Sequence, residues 1–69
     1  MDLRKIRIRA GLTVTQVAQE AGITRQTVER MERGKEPVSV VNAQRVANVL
    51  GRYLGRDLSY QDLEILVSE

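Results

Sequence analysis

Apolar residues along this chain fall into short stripes at helical spacing, each preceded by a residue able to start a helix. Leu3, Ile6 and Ala10 share one stripe at ~100° per residue, with Asp2 ahead of them as N-cap. Gly11 is a suitable stop, and Leu12 can fold back over the last turn. Arg7 flanks this stripe, while Ile8 falls on the other side, either exposed or touching the last helix or a second subunit. Leu12-Thr13-x-x-Gln16-Val17 carries a capping box (Thr13 with Gln16) and a hydrophobic staple (Leu12 with Val17). It predicts a second helix, Val14 to Ala21, burying Val17, Ala18 and Ala21. Ile23-Thr24-x-x-x-Val28 repeats the arrangement and predicts a third helix, from the Thr24 cap to about Arg33. Val28 and Met31 face inward on it, with Thr27 and Glu32 flanking, and Gly34 closes it.

The longest stripe comes next. Val40, Ala43, Val46, Ala47, Leu50, Tyr53 and Leu54 lie within an arc of roughly 140°, with Gln44, Arg45, Asn48 and Arg52 opposite and Ser39 as cap. The pattern runs past Gly51, so this fourth helix is expected to end at Gly55. Leu58-Ser59-x-x-Asp62-Leu63 then predicts a fifth helix, with Leu63, Leu66 and Val67 as its inner stripe and Ile65 to one side. The expected fold class is all-α: a compact arrangement of five helices forming a single domain over residues 1–69.

The second and third helices are joined by the turn Gly22-Ile23-Thr24, and Ala18 and Ala21 are small where the two would cross. Gly22 sits where a left-handed residue is needed. That is a helix-turn-helix. The stretch resembles the helix-turn-helix of the phage repressor/Cro family through Val17-Ala18, Gly22, Ile23-Thr24, Val28, Met31-Glu32 and Gly34, in one register without a gap. The likeness reaches back to Leu3 and Gly11-Leu12, and forward, more weakly, to Ala47, Leu50 and Gly51. Two capped helices at this spacing, followed by a further amphipathic helix, are far more specific than a bare helical hairpin.

The resemblance implies a repressor-like DNA-binding domain whose third helix lies in the major groove. On the wheel Gln26, Glu29, Arg30 and Arg33 oppose the buried face, with Arg25 at the edge. Arg25, Gln26, Glu29 and Arg30 are then the side chains placed to reach base edges. Arg can pair with guanine, Gln with adenine, and Glu can accept from cytosine. The plain alternative is a charged solvent face held by the i,i+4 pairs Arg25–Glu29 and Glu29–Arg33. In the family the start of the second helix points amides at a phosphate, and its first position is usually Gln; here it is Val14. The backbone donors survive that change, and Thr13 and Thr15 can add hydroxyls, although both also serve as cap and helix surface. Arg33 and Lys35 complete the expected phosphate contacts, while Glu36 does not suit that role. By resemblance, Arg7 and Glu32 form a partly buried structural ion pair rather than a DNA contact.

Composition narrows the rest. Hydrophobic content of 42% and charged content of 29% suit a soluble globular chain, but aromatics are only 3%, which disfavours recognition by base stacking. With no Cys and no His, disulfides, thiol chemistry and ordinary zinc sites are excluded, and no cofactor or metal is expected. No apolar run suggests a signal peptide or a membrane span, so the expected location is the cytoplasm of a prokaryote, or of a host for a phage-encoded protein. The net charge of +2 is modest, yet Arg4, Lys5, Arg7 and Arg9 cluster, as do Arg25, Arg30, Arg33 and Lys35, while acids gather toward the C-terminus.

The leading expectation is a sequence-specific transcriptional regulator, a repressor, bound to double-stranded DNA as a homodimer on a two-fold site. The dimer surface is expected on the fifth helix with the end of the fourth. The alternative is a protein-interaction module, such as an antitoxin that holds a protein partner through the acidic C-terminal helix. An enzyme has little support, since there is no His or Cys, no Gly-rich phosphate loop and no pair of acids in an evident pocket.

Overall fold

The computed structural model describes residues 2–68. Its elements in order are α1 (Leu3–Arg9), α2 (Val14–Ala21), α3 (Arg25–Arg33), β1 (Val38–Ser39), α4 (Val40–Leu54), a 3-10 turn (Tyr60–Leu63) and β2 (Val67–Ser68). Each helix starts where a side chain satisfies an amide that has no partner within the helix. The Asp2 carboxylate accepts from Lys5 N at 2.9 Å, Thr24 Oγ1 from Thr27 N at 3.2 Å, and Ser39 Oγ from Asn42 N at 3.2 Å. Thr13 and Gln16 form a complete capping box.

α4 is the axis of the core. Ala43, Val46, Ala47 and Leu50 have no exposed surface, and Val17 of α2 and Val28 of α3 are equally enclosed. A fully buried Val or Leu side chain stabilises the fold by about 1.5–3 kcal/mol. Burial on α4 is wider than the arc expected from the sequence, because Val49 and Gly51 are also buried, on opposite flanks of it. Gly51 is explained by close approach. The chain returns over it after α4, with Arg56 N donating to Gly51 O at 3.0 Å, and a Cβ at Gly51 would overlap the Arg56 carbonyl oxygen.

Two expectations are corrected here. Tyr53 is not core: it is 49% exposed, and its hydroxyl donates to the Glu20 carboxylate on α2. The fifth helix is absent. Four α-helices form among the described residues, and the segment read as the fifth is a single 3-10 turn followed by an extended strand. The Ser59–Asp62 capping box does form, but Glu64 adopts a left-handed conformation, φ 57°, and ends the turn. From there burial alternates with period two, as in a strand: Leu63 and Ile65 are buried, and Leu66 is exposed. β2 pairs in parallel with β1, Val38 opposite Val67 and Ser39 opposite Ser68. A dimer surface on a fifth helix therefore has no basis in this fold. No helix among the described residues is long and apolar enough to cross a membrane.

Candidate nucleic-acid interface

The site is built from α2, the turn after it, and α3. At the start of α2, Thr13 Oγ1 accepts from Gln16 N at 3.1 Å and Gln16 Oε1 accepts from Thr13 N at 2.8 Å. The first helical amides, those of Val14 and Thr15, have no acceptor within the helix, by geometry alone. The Val14 side chain is half-buried and packs on the core, so Val14 offers a ligand only its backbone, whereas Thr15 is exposed.

Gly22 turns the chain with φ 72°, a value that strains any residue bearing a Cβ. Its neighbour Ile23 N donates to Ala18 O at 3.0 Å, which closes the turn. Val28, fully enclosed, and Met31, 4% exposed, anchor α3 to the core. Because those two face inward, Gln26, Arg30 and Arg33 face out and are exposed, as is Arg25 at the helix start. Glu29 lies among them, less open, and accepts from Arg25 Nε at 3.0 Å. The Arg25 side chain remains 68% exposed beside this pair. Among the described residues, Arg25–Glu29 forms on this face and Glu29–Arg33 does not.

The back of α3 is held by Arg7. Its Nε donates to Glu32 Oε2 at 2.6 Å, Nη2 donates to Oε1 at 3.3 Å, and Nη1 donates to Leu12 O at 2.9 Å. One guanidinium thus ties α1, the turn before α2, and α3 together. Both side chains are largely enclosed, 14% and 13% exposed. Such a pair is costly to break once desolvated.

Past α3, Gly34 reverses the chain and brings Lys35 and Glu36 back beside Arg30 and Arg33, where the four line a notch of about 210 Å³. Arg30, Arg33 and Lys35 already stand out as a basic cluster in the sequence, but the notch they form with Glu36 does not, because it depends on the direction of the chain after Gly34. Three cations and one acid in a notch suit a phosphate oxygen more than a neutral ligand. A residue that sequence reasoning placed on the solvent side of α4, Gln44, instead bonds the backbone of the C-terminal segment. Polar character at one wheel position carries no signal for that.

The geometry agrees with comparisons to known proteins. A helix-turn-helix family model matches residues 3–61, which takes in α1 through α4 and ends within the 3-10 turn. An uncharacterized helix-turn-helix-type transcriptional regulator of Methanothermobacter thermautotrophicus is 40% identical over 50 residues, covering 72% of this chain and 72% of its own length. No solved structure matches the chain. With the turn, the caps and the match over residues 3–61 in agreement, this chain belongs to the helix-turn-helix family.

Proposed function

We propose that the protein is a sequence-specific DNA-binding transcriptional regulator, a repressor that lays α3 in the major groove as a dimer on a two-fold operator. The observation that carries the proposal is the outward face of α3. It is not covered by any of the described residues, is rich in groups that pair with base edges, and is braced from behind by Val28, Met31 and the Arg7–Glu32 pair. Arg30 and Gln26 read bases directly, Arg with guanine O6/N7 and Gln with adenine N6/N7. Arg25 reads a third base, and Glu29 both orients Arg25 and accepts from cytosine. The amides of Val14 and Thr15, the hydroxyls of Thr13 and Thr15, and the side chains of Arg33 and Lys35 hold phosphates.

A single copy offers few base contacts, so affinity requires a second. In dimers of this kind the two recognition helices sit about one turn of DNA, ~34 Å, apart. Selection of bound sequences from a random duplex pool tests the reading: a two-fold consensus is expected. Recovery of sequences no different from the input pool would overturn it.

A further inference from the structure

The C-terminal segment, residues 58–68, runs from the flank of α4 to the loop that follows α3, and one side chain holds its near end. Gln44 Nε2 donates to Leu58 O at 3.0 Å and to Asn48 Oδ1 at 2.9 Å, and its Oε1 accepts from Tyr60 N at 3.2 Å. All of the amide's donors and its oxygen are thereby engaged. From Tyr60 the bonds continue along the chain: Tyr60 O accepts from Ile65 N at 3.4 Å, and Leu66 O accepts from Val38 N at 3.0 Å. The segment's own Leu58, Leu63 and Ile65 are buried in the core, and β2 completes the pairing with β1. β1 begins directly after Lys35-Glu36-Pro37, so the strand pair is one of the ties, with the burial of Val38 and the Ser39 cap, that hold the far end of the Lys35 loop.

We infer that Gln44 is a positioning residue for DNA binding: through residues 58–68 it holds β1, and through β1 it holds Lys35 against the phosphate backbone. Gln44 touches no DNA itself. The inference rests on the phosphate role proposed above for Lys35. If the segment is released at Tyr60, β1 loses its partner strand and the bond from Val38 N to Leu66 O, and the far end of the loop after α3 is held only by the burial of Val38 and by the Ser39 cap of α4. Lys35 must then be ordered at the moment of binding, which weakens its contact.

The slope of log affinity against log salt reads the number of phosphates engaged, at about 0.9 per contact on duplex DNA. General loss of stability in a variant that still folds lowers affinity without changing that number. Binding to the selected operator is measured over a salt series for the full chain, Lys35→Ala, Gln44→Ala and the double variant, with circular dichroism to show that each is folded. Lys35→Ala is expected to lower the slope by about 0.9, Gln44→Ala to lower it in the same direction, and the double variant to match Lys35→Ala alone. Gln44→Glu keeps the acceptor for Tyr60 and loses the donation to Leu58, and it carries the same readout should the alanine variant fail to fold. An unchanged slope in the folded Gln44 variant, or losses that add in the double variant, would overturn the inference. An unchanged slope in Lys35→Ala would instead overturn the phosphate role on which it stands.

Discussion

Arg7 grips Glu32 through two guanidinium nitrogens, Nε at 2.6 Å and Nη2 at 3.3 Å, while the third reaches the carbonyl of Leu12. The pair sits on the hidden side of the helix whose exposed side is proposed to read DNA. Removing either partner strands a largely enclosed charge. Glu32→Ala is expected to lower unfolding stability by about 3 kcal/mol, measured by urea denaturation. The double variant Arg7→Met with Glu32→Leu should lose less than either single change, since no charge is left buried. A larger loss in the double variant would contradict this account.

Gly51 sets helix propensity against packing. Alanine would favour the helix by about 1 kcal/mol, yet its methyl would meet the Arg56 carbonyl oxygen, a backbone atom tied to the same helix turn. Packing should win, because overpacking against backbone costs about 1–3 kcal/mol. Gly51→Ala is therefore expected to lower the midpoint of thermal unfolding. A raised midpoint would show that the returning chain yields easily.

Gln26→Ala and Arg30→Ala should each relax preference at a defined base position by about 1–3 kcal/mol, leaving the fold unchanged because both side chains are exposed. Sequence selection with each variant measures this. Profiles identical to that of the unaltered chain would remove those residues from the reading surface.

Tyr53 supplies a pH dependence. Its hydroxyl bond to Glu20 chiefly raises its pKa above the usual tyrosine value, with desolvation and the Glu20 charge adding to this and the Arg52 charge opposing it. The folded state therefore favours the neutral phenol. The stabilisation from this bond is fully present below the usual tyrosine pKa and is lost as pH rises through the raised value. Phenolate absorbance in a Tyr60→Phe background would follow Tyr53 alone. Glu20→Gln should bring its midpoint down, and an unmoved midpoint would show that Glu20 is not the cause.

The helix starts were legible because each rests on local chemistry. Asp2, Thr13, Thr24, Ser39 and Ser59 all act as caps, and local hydrogen bonds need no knowledge of the rest of the fold. What was not legible depends on partners distant in sequence. At Ser59 the cap marks a start but not a length. Leu63, Ile65, Leu66 and Val67 fit a helical stripe or a strand almost equally well in so short a run. β1 offers an open strand edge, which decided the outcome for β2. Tyr53 lies on the apolar side of a wheel, but at the last turn of α4 it meets a carboxylate from α2 instead of the core. At the candidate site, the outward face of α3 followed from Val28 and Met31 facing in. The notch around Lys35 did not, because it depends on how the chain turns at Gly34.

The β1–β2 pairing also bears on how the molecule assembles. α2 and α3 meet as neighbours in sequence, whereas Val38 and Val67 come together only after the whole of α4 has been traversed. Closing that longer loop costs more chain entropy for very few ladder bonds. The helices should therefore gather first and the strands join last, and in the native protein the same strands should be first to let go. Hydrogen exchange would show this as an amide at Val38 that trades its proton well before those in the middle of α4.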